Sequence, residues 1–253
     1  ISSARRPTSR RISSAPYEAA GADGFYEITI RQVADGFLTS HIWAHWDVGI
    51  PVSSSGPLGT FYHEPLRDAR TIVGLAGGSG VTPFRSMGRE IVRGDMDAEL
   101  LLLYGSSEED DIVAYDELGA LSNEAPDRLR VVHVLSCEEV TLPGCEQGFV
   151  SADVIRRHAD VENSSFFVCG PQAMYEYVAE ELAQFDLPPK RVRREAYGEV
   201  KEIATYPGFP EDVADRIFQL TVRMGLERVA VLAKATETVL VAMERAKLAP
   251  PSQ

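Results

Sequence analysis

Cysteine is scarce in this 253-residue chain, which has only Cys137, Cys145 and Cys169. They form no even-numbered disulfide framework and no C-x-x-C pair, so a stapled secreted scaffold is excluded and free thiols in a reducing cytoplasm are expected. Histidine is nearly as sparse: His41, His45, His63, His133 and His158 form no metal-spaced set, and although His41 and His45 stand at i, i+4, Trp43 between them and Trp46 after them read as core or interface. No metal site is expected. Also missing is an apolar run of the roughly 20 residues that an integral membrane segment needs; the longest candidate, Leu100–Tyr104, has strand length. The basic, polar stretch Ile1–Arg11 has no apolar segment of a secretory signal behind it. A chain that opens on Ile is expected to be a fragment, a processed form or one lacking its first residues. Positive charge is in deficit as well, with 25 Lys and Arg against 38 Asp and Glu and a formal net charge of −13. That argues against nucleic acid or an anionic membrane surface as partner. Two basic clusters remain, Arg5–Arg11 and Lys190–Arg194, as solvated runs or as local partners for phosphate. Oligomeric state is silent in this sequence.

What is present fits a soluble α/β protein, with 44% hydrophobic and 25% charged residues in a length that suits one large or two ordinary domains. Residues 12–62 read as short strands, among them Phe25–Arg31, Pro51–Ser55 and Thr60–His63, with a helical stretch over Ser40–Trp46. From Thr71 the pattern becomes strand–helix alternation. Strands are predicted at Thr71–Ala76, Glu99–Tyr104, Leu129–Leu135, Ser165–Cys169 and Arg191–Tyr197. Helices are predicted at Pro83–Arg93, Ala114–Ser122, Ser151–Arg157 and Pro171–Phe185. This is a doubly wound, five-stranded parallel domain. Glu199–Asp215, with its prolines and acidic pairs, reads as a linker. Phe218–Met224 and Arg228–Lys234 follow as strands, and Thr238–Lys247 as a helix. The expected division is 1–67, 68–198, a linker over 199–215, and 216–253.

The strongest chemical signal is Gly77-Gly78-Ser79-Gly80-Val81-Thr82-Pro83, placed between a buried strand and a helix. Gly78 and Gly80 let the backbone approach a pyrophosphate, while Thr82 suits an N-cap and Pro83 the first helical position, leaving free N–H groups for an anion. The next strand ends in Gly105-Ser106-Ser107-Glu108-Glu109-Asp110-Asp111, where an adenosine ribose would lie. Carboxylates there, Glu109 among them, accept from a 2′-hydroxyl and repel a 2′-phosphate, which favours NADH over NADPH; a solvated acidic loop is the plain alternative. Cys169-Gly170-Pro171 sets a thiol at the carboxyl edge of the sheet, a place for ligands, although Cys at a strand end is more often packing.

Taken in order, Arg10-x-Ile12-Ser13, Gly36-x-x-Thr39, the Gly77–Pro83 loop, Cys169-Gly170-Pro171-Gln172-Ala173-Met174 and Glu195-Ala196-Tyr197-Gly198 resemble the ferredoxin–NADP reductase superfamily. The resemblance is to flavin reductases fused to a plant-type ferredoxin module. It implies a partial antiparallel β-barrel for the flavin, a nicotinamide-nucleotide domain and the start of a β-grasp unit. By the same resemblance Arg10, with Arg6 or Arg11 as alternatives, meets the flavin phosphate, and Ser13 lies near flavin N5. Ile12 stands where the family places a ring-stacking Tyr. Gly36, Leu38 and Thr39 would cradle the pyrophosphate of FAD, which favours FAD over FMN. Gly170, Pro171 and Met174 would line the nicotinamide side, Cys169 and Glu195 would flank nicotinamide and flavin, and Tyr197 would cover a ring. The implied activity is NAD(P)H oxidation through flavin to an iron–sulfur centre or acceptor protein. A [2Fe–2S] cluster is implied only if the natural chain continues past Gln253. An electron-transfer subunit of a larger complex and a non-catalytic binding module are the rival readings.

Overall fold

The computed structural model of the protein describes residues 9–13, 27–32, 37–52, 60–137, 139–196, 203–205, 209–224 and 227–248. The chain divides into two compact units, Ile1–Tyr197 and Gly198–Gln253.

Within the first unit, β1 (Ser9–Ser13) and β2 (Glu27–Arg31) form an antiparallel pair that aligns Arg10 with Ile30 and Ser13 with Glu27. Helix α1 (Phe37–His45) follows, starting three residues before the expected Ser40. Thr60–His63, expected as a strand, is instead an irregular turn. Its Phe61 packs edge-on against Phe84 and Phe167, with ring centroids 5.9 and 5.3 Å apart, so one aromatic contact stands in for a strand pairing.

The rest of the unit is a parallel sheet. Its strands are β3 (Thr71–Gly77), β4 (Glu99–Ser106), β5 (Leu129–Leu135), β6 (Glu146–Gln147), β7 (Ser164–Gly170) and β8 (Val192–Ala196). The six-stranded order is β6-β5-β4-β3-β7-β8. The sixth strand is the departure from the expected five. Glu146–Gln147 pairs only with Val134 and Leu135, and two polar residues carry no periodicity by which to recognise a strand.

Continuous apolar runs in β3 and β7 reflect burial on both faces. On one face Ile72, Ala76, Leu102 and Phe167 pack under α2 (Thr82–Arg93) and α3 (Tyr115–Glu124). On the other, Val73, Leu75, Phe166 and Val168 meet α4 (Ala152–His158) and α5 (Gln172–Ala183). Helix α2 buries Phe84, Met87, Gly88 and Ile91, an i, i+3, i+4, i+7 stripe, and stops at Gly94, whose φ of 86° caps the last carbonyls. Fully burying one Phe or Ile contributes roughly 2 kcal/mol. Phe84 lies so close over the sheet that a Cβ at Gly74 would fall 2.6 Å from its ring.

Asp68, with a fully buried side chain, ties the approach to β3 onto β8. It accepts from Arg67 at 2.7 Å, from the Glu64 amide at 2.9 Å and from Arg193 at 2.8 Å. Burial alone would raise its pKa, but these hydrogen bonds together carry it below the ordinary 3.8.

In the second unit β9 (Ile217–Met224) and β10 (Glu227–Lys234) form an antiparallel pair. Helix α6 (Val239–Arg245), capped by Thr238 on the Val241 amide, covers Val231 and Ala233 with Ala242. Among the described residues no helix is long and apolar enough to cross a membrane.

Candidate nucleotide site

A cleft of about 460 Å³ opens where β3, β4, β5 and β7 end, at their carboxyl edge. That is where open α/β sheets bind ligands, because the order reverses there and adjacent loops part. Gly77 and Gly78 line one side, Gly105, Ser106, Ser107 and Asp111 the next, and Pro171 and Met174 the third.

After β3 the chain makes a single 3₁₀ turn, Gly78–Val81, which runs directly into α2. Gly78 enters it with a φ of 52°, in the left-handed region that a Cβ disfavours. Its carbonyl accepts from the buried Tyr104 hydroxyl at 2.9 Å, and that phenol oxygen in turn accepts from the Val113 amide at 3.0 Å. One phenol therefore pins the turn to the loop after β4. Gly80 is also required by the protein itself. A Cβ there would lie 2.1 Å from the Cys169 carbonyl oxygen, so this glycine lets the turn press on β7. Thr82 likewise is no N-cap: its hydroxyl donates to the Ser79 carbonyl at 3.1 Å, and the 3₁₀ turn occupies the place of the cap. Pro83 does sit in the first helical turn.

On the β4 side, the Ser106 hydroxyl oxygen is buried and has no hydrogen-bond partner among the described residues. A buried hydroxyl without a partner costs free energy unless a ligand or water meets it, and this one lines the cleft. Glu109 does not line it. Its carboxylate accepts from the Thr141 hydroxyl at 2.7 Å, the Thr141 amide and the Leu142 amide at 3.0 Å, and the Thr141 hydroxyl is the main cause of its lowered pKa. Asp111 is the acid that faces the cleft instead.

Cys169 is fully buried in β7, in register with Ala76 on β3 and Glu195 on β8. Burial pushes the half-buried Glu195 carboxyl upward. Cys169 and Glu195 thus lie together at the edge of the sheet, although neither lines the cleft. Gly170 packs on Gly77, and a Cβ on either would meet the Met174 sulfur, at 2.7 and 2.5 Å. β2 lies beside the Gly78–Val81 turn and so brings the β1–β2 pair to the nucleotide loop. The side chains of Arg10, Arg11, Ile12, Ser13 and Leu38, together with Gly36 and Tyr197, lie outside the described residues; Thr39 sits half-buried in the first turn of α1.

Several lining residues carried no motif: Val134 near the end of β5, Ser136 just after it, Phe149 between β6 and α4, and Tyr177 on α5. The Phe149 and Tyr177 rings stand 5.7 Å apart at the rim, and Phe149 remains 64% exposed. An aromatic after Gly148 and just before the Ser151 N-cap was the signal available. Among the described residues no three His, Cys, Asp or Glu side chains gather to hold a metal ion.

Residues 75–180 match the family model of the oxidoreductase NAD-binding domain. The chain is 29% identical over 184 residues to a flavohemoprotein of Rhodopirellula baltica, covering 70% of this chain and 44% of that protein. It is 27% identical over 186 residues to the ferredoxin reductase component of a 3-ketosteroid-9-alpha-monooxygenase of Mycobacterium tuberculosis, covering 74% of this chain and 48% of the relative. The chain therefore spans about half the length of these relatives. Among solved structures, the cytochrome b5 reductase domain of Ulva prolifera nitrate reductase superposes with a TM-score of 0.60 at 22% identity, over 68% of this chain and 74% of that one.

Proposed function

For a chain that carries an oxidoreductase NAD-binding domain in a ferredoxin–NADP reductase-type fold, we propose a flavin-dependent NAD(P)H oxidoreductase that delivers electrons to a protein acceptor. The observation that carries this reading is the carboxyl-edge cleft, with its glycine turn, its unpartnered Ser106 hydroxyl and Asp111 facing it. Bound FAD would take a hydride from nicotinamide C4 at N5 and pass on its two electrons singly.

The chain's own residues do the placing. Amides of the Gly78–Val81 turn, at the head of α2, receive the dinucleotide phosphates. Ser106 supplies a hydrogen bond, Asp111 meets the ribose 2′-hydroxyl, and the Phe149–Tyr177 pair offers a face to adenine. An acid and no Lys or Arg among the described lining residues favours NADH over NADPH. Cys169 and Glu195 bound the nicotinamide, with residues 1–67 holding flavin through Arg10, Ser13 and the Gly36–Thr39 turn. Residues 68–198 form the nucleotide domain, 199–215 the linker, and 216–253 the start of a ferredoxin-like unit. An iron–sulfur centre is the proposed acceptor and the cytoplasm the proposed compartment.

The test is anaerobic stopped-flow on the flavin-loaded protein. NADH should bleach the flavin absorbance, with kcat/KM at least about tenfold above that for NADPH, and denaturation should release FAD. Flavin that stays oxidised with both nucleotides would remove the proposal, and release of FMN alone would overturn the FAD assignment.

A further inference from the structure

The turn between β7 and α5 contains a residue that neither the glycine motif nor the cleft includes. Tyr175, in the first turn of α5, folds its phenol back over the end of β7. Its hydroxyl donates to the Val168 carbonyl at 3.1 Å and accepts from the Gly170 amide at 3.3 Å. Those two groups bracket Cys169, so one oxygen fixes the peptide on either side of the buried thiol. Glu195 stands opposite Cys169 in the β7–β8 register. Burial first, and the neighbouring Cys169 second, push the Tyr175 pKa upward, so the phenol remains a neutral donor at any working pH.

The rest of the turn gives this clamp a purpose. Gly80 presses on the Cys169 carbonyl with no room for a methyl group, and Met174 fills the space beside Gly77 and Gly170. The backbone at Cys169 is therefore packed from the nucleotide loop and held by hydrogen bonds from the phenol. A displacement of residue 169 would move its thiol relative to both Glu195 and the loop. Packing alone resists compression but not sliding along the strand, whereas two directional hydrogen bonds resist both.

We propose that Tyr175 is a positioning residue: its hydroxyl clamps Cys169 between Val168 and Gly170 and so fixes the thiol against Glu195 and the nucleotide loop for hydride transfer. This rests on the reductase reading above, and the test separates the two. In Tyr175→Phe, loaded with FAD, the flavin-reduction rate at saturating NADH should fall about tenfold, equivalent to about 1.4 kcal/mol, while the NADH dissociation constant moves less than about twofold. Amide exchange should quicken at Cys169 and Gly170 and stay unchanged in β3 and β4. An unchanged limiting rate overturns the proposal. So does a fall in rate accompanied by faster exchange across the whole sheet, because that is loss of stability and not of position. If the unaltered protein is not reduced by either nucleotide, the reductase reading itself has failed, and Tyr175 loses its catalytic meaning with it.

Discussion

Gly80 illustrates how a motif glycine can be required by a contact within the protein as well. A Gly-rich turn after a buried strand was legible because the apolar run, the glycines and the proline agree locally. Which glycine meets a ligand and which meets the protein depends on β7, nearly ninety residues further along the chain, and no local pattern encodes that contact. The structure places Gly80 hard against the Cys169 carbonyl, only 2.1 Å from where a methyl carbon would sit. Gly80→Ala should therefore cost about 3 kcal/mol of unfolding free energy, since the obstacle is backbone that cannot rotate away. Urea denaturation measures this. A loss well under about 1 kcal/mol would mean that the turn is free to lift off β7. Glu109 differs in the same way: its acidity and its place after β4 were readable, but not Thr141, whose hydroxyl and amide hold it away from the cleft.

At the scale of elements, β3, β4 and β7 were readable because strands covered on both faces are written as apolar runs, and β5, broken by Arg130 and His133, was readable from its Leu and Val content. β6 was not, because Glu146–Gln147 is held only by register with Val134 and Leu135. Thr60–His63 reads as extended, but its one strong anchor is Phe61, and an aromatic contact is satisfied without a ladder. The wall of the cleft formed by Ser136, Phe149 and Tyr177 is assembled from two connections and a helix, so spacing along the chain could not reveal it. The junction around Asp68 was equally hidden, since its partner Arg193 lies 125 residues away. Asp68→Asn should lower stability by about 3 kcal/mol at neutral pH, because Arg193 and Arg67 lose their buried counter-charge. The folded pKa is depressed, so the stabilisation is complete above the unfolded value near 3.8 and is lost as pH falls through the folded value. The gap between parent and variant should narrow in urea melts taken at progressively lower pH below that value. A gap that stays constant would show that the carboxylate charge contributes nothing.

Across the whole molecule, the three thiols differ in access: Cys137 and Cys145 are partly exposed, whereas Cys169 is sealed inside the sheet. Burial also raises the Cys145 pKa, with Glu109 adding to it, so less of its reactive thiolate is present at a given pH. A chromogenic disulfide reagent should accordingly count about two groups on the folded protein, Cys137 ahead of Cys145, and about three in denaturant. Three rapid equivalents without denaturant would contradict the sealed position of Cys169. The third equivalent then becomes a stopwatch. Its appearance times the opening of β7, the strand between β3 and β8, so the chain supplies an intrinsic chemical probe of how long its nucleotide sheet stays shut.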